Sequence, residues 1–254
     1  MVAIIALVFT APGRPRWLIE AGGHLVQTPL QIDVRLVVAQ VSHGCSLGWS
    51  LRVCYRDRMV TLLALDLMDT VVRDPIFFDI PRLLNQTQEQ VFRLLDGEAW
   101  LEFETGVIDE AAYLQRMFRQ APPPDVRGTE LRDAILDGYC LVSGMEPLLD
   151  ELRGRGHRLW ILSNYSPWFE PLRARLRLDR LFHGHVVSYE TGFRKPDPRA
   201  YEALLQRAGV HAHETLFIDD RPVNVEAAQK LGMQAVVFTD ARALRAELEQ
   251  RRLL

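Results

Sequence analysis

The stretch LLALDLMDTVV, residues 62–72, decides the fold of this chain. Its opening run is wholly apolar and too short for a helix. It also lacks the alternation of a strand that shows one face to water. It reads as a strand of a parallel sheet covered on both faces. The run delivers one carboxylate, Asp66, and a second, Asp69, follows three residues later. A strand-terminal aspartate either caps the turn after it or stands as a nucleophile at the carboxyl end of the sheet, where open parallel sheets keep their ligand crevice. Taken alone, Asp66 fits both readings equally.

Outward from this strand the chain alternates. MEPLLDELRGRG (145–156) has helical apolar spacing and ends on glycine, and HRLWILSN (157–164) is again a buried strand with a polar end. PWFEPLRARLRLDRLF (167–182) predicts one helix, HGHVVSYE (183–190) a short strand and PRAYEALLQRAG (198–209) a helix closed by Gly209. ETLFIDD (214–220) is a third strong strand, ending in carboxylates, and a further helix, strand and helix complete the chain. Strands alternating with helices predict an α/β fold with a doubly wound parallel sheet and right-handed crossovers. Between the first strand and the helix at 145 the signals are helical, as in TQEQVFRLLD and DEAAYLQRMFRQ, and APPPD (121–125) breaks them. This segment predicts a small helical cap beside the sheet.

The polar strand ends carry the chemistry. Three strands end in Asp66, in Ser163-Asn164 and in Asp219-Asp220, and Lys195 follows a fourth, short strand through TGFRKPDP. Each has an ordinary explanation: a helix cap for the aspartates, a turn for Ser163-Asn164, a solvated loop charge for Lys195. Four such ends in this order are a stronger signal than any one. Clustered carboxylates repel unless a cation sits among them, and oxygen ligands without histidine or thiolate suit Mg²⁺. A hydroxyl, neighbouring backbone N–H groups and an ammonium are what phosphoryl oxygens require. An aspartate nucleophile then gives an aspartyl-phosphate for water to hydrolyse.

Composition narrows the classes. Hydrophobic and charged fractions of 48% and 25% are ordinary for a globular chain. The net charge of −3 makes no electrostatic case for nucleic acid or an anionic membrane. No apolar stretch reaches the ~18 residues of a membrane span. Cys45, Cys54 and Cys140 form neither a C-x-x-C pair nor an even framework, which points to a reduced compartment. Of 30 basic residues only Lys195 and Lys230 are lysine, so each lysine stands out.

With these residues the sequence resembles the haloacid dehalogenase-like hydrolase superfamily. DLMDT matches its first motif with Asp66 and Thr70, WILSN its second with Ser163, RKPDP its third with Lys195 and FIDDRPVNVEAA its fourth. The resemblance covers residues 60 to about 240. It implies a Rossmann-like core, Asp66 as nucleophile and Ser163, Asn164 and Lys195 around the phosphate. It also implies Mg²⁺ on the Asp66 carboxylate, the Met68 backbone carbonyl and Asp220, with Asp219 in support. The phosphatases of the superfamily usually place a second aspartate two residues after the nucleophile, as general acid and base; here that place is Met68. Asp69 is the nearest carboxyl group to replace it, or it only caps the turn. The acidic pair Asp219-Asp220 favours metal-assisted phosphate chemistry over dehalogenation.

DLMDTVVRDPIFFDIP, WLEFETGVIDE, SNYSPWFE and RKPDPRAY are similar to the plant chloroplast flavin mononucleotide (FMN) hydrolases, and several of these strings lie in the cap. The similarity implies hydrolysis of FMN to riboflavin and phosphate. Another small phosphorylated metabolite is the alternative substrate, and Met68 also suits a catalytically weak binding protein. Phe77, Phe78, Trp100, Phe103, Tyr165 and Trp168 are candidates to stack on a flavin ring, one or two in contact with substrate and the rest in the core. The expected division is an extension over residues 1–58, a core of 59–73 and 144–254, and a cap of 74–143. The extension has six arginines and three acids, compatible with a transit peptide or with a start placed upstream of Met59. The expected compartment is correspondingly cytoplasmic or, with a transit peptide, the plastid stroma. The expected partner is a small phosphorylated molecule, with no nucleic acid and no membrane.

Overall fold

A computed structural model describes residues 60–121 and 126–254, together with the backbone of three short strands at Ile5–Ala6, Leu18–Ala21 and His24–Leu25. The chain divides into two units, Met1–Asp57 and Arg58–Leu254. In the first, the three short strands pair antiparallel. The rest of the reading for residues 1–58, and the PPPD of the proline break, lie outside the described residues.

In the second unit five strands form one parallel sheet: β1 (Leu62–Leu65), β2 (Arg158–Ser163), β3 (Gly184–Val187), β4 (Thr215–Asp219) and β5 (Gln234–Val237), in the order β5-β4-β1-β2-β3. The apolar run of β1 explains its central place. All four residues are fully buried, with Leu63 and Leu65 in one hydrophobic cluster and Leu62 and Ala64 in another. The period-two alternation of a strand thus fills two cores, one on each face. One core takes Leu148, Leu149 and Leu152 of α6 (Met145–Gly154), Phe169 and Leu172 of α7 (Phe169–Leu176), and Leu244 and Leu248 of α11 (Ala241–Gln250). The other takes Tyr201, Leu204 and Ala208 of α9 (Pro198–Ala208) and Ala228 of α10 (Pro222–Lys230). This is the doubly wound α/β arrangement expected of the sequence.

The cap helices α1 (Asp79–Leu83), α2 (Gln88–Leu94), α3 (Gly97–Glu104), α4 (Glu110–Arg116) and α5 (Gly128–Gly138) lie between the strands of a two-stranded ribbon. In that ribbon Val72 pairs with Leu141 and Arg73 with Cys140. Side-chain caps start α2, α3 and α4: Thr87 forms a capping box with Gln90, Asp96 accepts from the N–H groups of Glu98 and Ala99, and Asp109 accepts from Ala112 N–H. Among the described residues no helix is long and apolar enough to cross a membrane.

Two predicted elements are shorter in the structure. The helix expected over 167–182 stops at Leu176, because Arg177 takes a left-handed conformation (φ 52°) and a 3-10 turn follows over Leu178–Arg180. The strand expected over 183–190 ends at Val187, where α8 (Ser188–Thr191) begins. In the first case local apolar spacing continues across the left-handed residue, and in the second a short helix replaces the end of the strand.

Candidate active site

Sheet register places the site. Leu65 of β1 pairs with Ile218 of β4 on one side and Ile161 of β2 on the other. The next residue, Asp66, donates its N–H to the Ile218 carbonyl at 2.8 Å and so stands beside Asp219. Ser163 ends β2 on the opposite flank. Three strand ends therefore meet at one edge of the sheet.

Lys195 joins them. Its Nζ lies 2.7 Å from Asp66 Oδ1 and 2.7 Å from Asp219 Oδ2, with the residue only 2% exposed. Asn164 holds the lysine in place: its Oδ1 accepts the Lys195 N–H at 2.7 Å and its Nδ2 donates to the Lys195 carbonyl at 2.8 Å. Asp219, fully buried, is held in turn by Asn224 Nδ2 at 2.9 and 3.0 Å and by the Arg221 N–H at 2.9 Å. Asp66 Oδ1 also accepts the Leu67 N–H at 2.7 Å, which sets the orientation of the carboxylate.

The charges do not balance. Asp66, Asp219 and Asp220 present oxygens within 4.8 Å of one another, against one ammonium. The Asp66 carboxyl is raised to about 7, because burial, with Asp219 and Asp220, outweighs the downward pull of Lys195. Burial and the neighbouring Asp219 raise Asp220 as well. Burial alone would lower Lys195, but the two carboxylates outweigh it and hold the ammonium above its ordinary value. Oxygen donors with an uncompensated negative charge fit a hard divalent cation, which would reverse the shifts on the acids.

After β1 the chain turns back on itself. The N–H groups of Val71 and Val72 both donate to the Leu67 carbonyl, at 2.9 and 2.8 Å, and Asp69 has a positive φ of 54°. Aspartate tolerates that conformation better than most residues. Asp69 Oδ1 accepts the Asp74 N–H at 3.1 Å, so the turn-capping reading of Asp69 has a definite contact. Asp74 itself accepts from the Ile76 N–H at 2.9 Å, and burial lifts its carboxyl to about 6.

A cavity of about 480 Å³ opens over these groups. Asp66, Met68, Asp69, Asn164, Lys195 and Asp220 all line it. Asp219 stands behind them, and so does Ser163, whose buried hydroxyl has no hydrogen-bond partner among the described residues. An orphaned hydroxyl at a strand end is suited to an oxyanion. Among the six aromatics singled out in the sequence, Phe77, Trp100 and Tyr165 line the cavity. Phe103 and Trp168 pack in the core against Tyr113, and Phe78 is exposed beside Arg73.

Sequence reading passed over Asp74, Glu104, Arg194, Arg221 and Asn224, all of which line the cavity. Asn224 had a signal, since it follows the acidic pair at helical distance. Glu104 had none; in LEFE it looks like any solvated helix glutamate.

Residues 63–232 match the haloacid dehalogenase-like hydrolase family. The chain is 32% identical over 210 residues to the chloroplast flavin mononucleotide hydrolase 1 of Arabidopsis thaliana, spanning 82% of this chain and 85% of that protein. It is 34% identical over 161 residues to the sesquiterpene phosphatase astK of Aspergillus oryzae, spanning 62% and 81%. Its fold is similar to a solved HAD-family enzyme of Bacteroides thetaiotaomicron in complex with magnesium and inorganic phosphate, with a TM-score of 0.57, 23% identity and coverage of 71% and 95%. The chain belongs to the haloacid dehalogenase-like hydrolases, as an enzyme of the phosphatase type.

Proposed function

We propose that the protein hydrolyses phosphate monoesters through a covalent phosphate on Asp66, with FMN as its leading substrate. The observation that carries this reading is the meeting of Asp66, Asp219 and Lys195 within 2.7 Å contacts at the floor of one cavity. A carboxylate oxygen of Asp66 attacks phosphorus, the bond to the leaving oxygen breaks, and water then attacks the acyl-phosphate to release phosphate and restore the carboxylate. Lys195 and the Ser163 hydroxyl hold phosphoryl oxygens, while Asn164 keeps Lys195 in position. Asp66, Asp220 and the Met68 carbonyl, supported by Asp219, would hold Mg²⁺, which supplies charge neutralisation for the phosphoryl group when bound. Asp69 donates the leaving-group proton: Oδ1 is engaged by Asp74, and the other oxygen makes no hydrogen bond among the described residues.

Support for FMN comes from the Arabidopsis relative, and from Phe77, Trp100 and Tyr165 in a cavity large enough for a flavin ring. The Aspergillus relative supports a second reading, a phosphomonoester with an apolar organic group. The deciding experiment assays the purified protein with Mg²⁺ against a panel of phosphorylated metabolites, FMN and p-nitrophenyl phosphate included, following free phosphate. EDTA-sensitive turnover with FMN at the head of the panel is expected. No turnover of any member would overturn the phosphatase reading and leave a binding protein.

A further inference from the structure

Glu104 closes α3 and is 4% exposed, yet it lines the cavity. Its backbone is riveted to the sheet side of the molecule. The Glu104 carbonyl accepts the Ser188 hydroxyl at 2.6 Å. Two residues on, Gly106 has a positive φ of 73° and sits so close to the Tyr189 carbonyl that a Cβ there would come within 2.4 Å of the oxygen. The carboxylate is therefore presented from a fixed point on the cap.

Its hydrogen-bonding capacity is hardly used. Arg194 is its ion-pair partner among the described residues, through one guanidinium nitrogen at 3.3 and 3.5 Å. Burial raises the Glu104 carboxyl and Arg194 counteracts it. Arg194 has its own deficit, since its Nε is buried without an acceptor among the described residues. A carboxylate offers about four acceptor sites and a guanidinium five donors, so the pair keeps sites that no protein group among the described residues fills. Trp100 lies one helical turn before Glu104 on α3 and lines the same cavity, so ring and carboxylate share a face.

We propose that Glu104 and Arg194 select the organic part of the substrate: side by side they meet one edge of it, where Glu104 accepts from an N–H or O–H group and Arg194 donates to a carbonyl, and Trp100 covers the face of the ring. The inference rests on the phosphatase reading of the same site and names its substrate class, a planar heteroaromatic phosphomonoester with a donor–acceptor edge. A hydrocarbon chain in this cavity would strip water from both charges and return no hydrogen bond. A site built for such bonds rejects the analogue lacking them by up to about 10⁴-fold.

The test measures kcat/KM for FMN, farnesyl monophosphate and p-nitrophenyl phosphate with Mg²⁺, and riboflavin binding by fluorescence. The unaltered chain and Glu104→Leu, Glu104→Gln and Arg194→Leu are compared, each checked by thermal melting. The unaltered chain is expected to favour FMN over farnesyl monophosphate by about 10² or more. Glu104→Leu and Arg194→Leu should lower that ratio, and the ratio of FMN to p-nitrophenyl phosphate, at least tenfold. Both should also weaken riboflavin binding at least tenfold, with Glu104→Gln intermediate. Unchanged ratios, or a farnesyl preference in the unaltered chain, would overturn the inference. Loss of folding in both Glu104 variants would make the carboxylate a structural anchor and overturn it too. Absence of turnover on all three phosphates would remove the phosphatase reading and this inference with it.

Discussion

Asn164 grips Lys195 by its backbone, accepting its N–H at 2.7 Å and donating to its carbonyl at 2.8 Å. The residue after the second strand thereby fixes a lysine 31 positions later, between Asp66 and Asp219. Asn164→Ala should release that lysine while leaving the strands in place. A misplacement of about 1 Å at a reacting group costs ~10² in rate. A fall in kcat of about that size, with an unchanged circular dichroism spectrum, is the expected result.

Lys195 is enclosed between Asp66, Asp219 and the Phe217 ring, 5.3 Å from its ammonium. Arginine keeps the charge but brings a larger planar fork that does not fit a compact buried site. Lys195→Arg should lose at least ~10² in kcat/KM and several degrees of thermal stability. Asp66→Asn should abolish turnover with the fold retained, because an amide cannot form the acyl-phosphate. Near-normal kcat/KM for Lys195→Arg would remove the lysine from the proposed machinery.

Asp69→Asn separates the two parts assigned to Asp69. Asparagine keeps the acceptor for the Asp74 N–H and tolerates the positive φ, but it cannot deliver a proton. A general acid is worth ~10²–10⁴ on a poor leaving group and much less on p-nitrophenolate. The expected result is a large loss on FMN and a small loss on p-nitrophenyl phosphate. Equal losses on both would leave Asp69 as the cap of the turn alone.

Asp74 makes the protein pH-sensitive in a calculable direction. Burial raises its carboxyl from 3.8 to about 6, so the folded chain holds a proton there that the unfolded chain releases. The stability it contributes is full below pH 3.8 and is lost as pH rises through 6. Asp74→Asn keeps the acceptor for the Ile76 N–H and removes the charge. Denaturant melts should show it about 1–3 kcal/mol more stable at pH 7.5 and nearly unchanged at pH 4. Equal effects at the two pH values would mean that this carboxyl titrates normally.

Every proposed site residue lies at position 66 or beyond, and the chain divides at Asp57. A chain beginning at Met59 should therefore fold and hydrolyse phosphate esters with kcat/KM within about threefold of the full chain. Insolubility or loss of activity would show that residues 1–58 support the core.

By itself the sequence determined the sheet and its chemical edge. The run at 62–65 is apolar on both faces because both faces are buried, and the polar residues that end β1, β2 and β4 are the ones register brings together. Such signals are legible because strand burial and strand termination are local properties of composition. Only the tertiary structure decided the rest. Nothing near Glu104 marks it as buried; it becomes so because Gly106 packs on Tyr189 and Ser188 takes its carbonyl, contacts over 80 residues distant in the chain. Asn164 reads as a turn residue until the loop carrying Lys195 folds back onto it. Arg177 ends a helix that apolar spacing would continue, by a backbone angle the spacing does not encode. These features depend on which distant segments meet, and that is settled by packing the two cores, not by any local pattern.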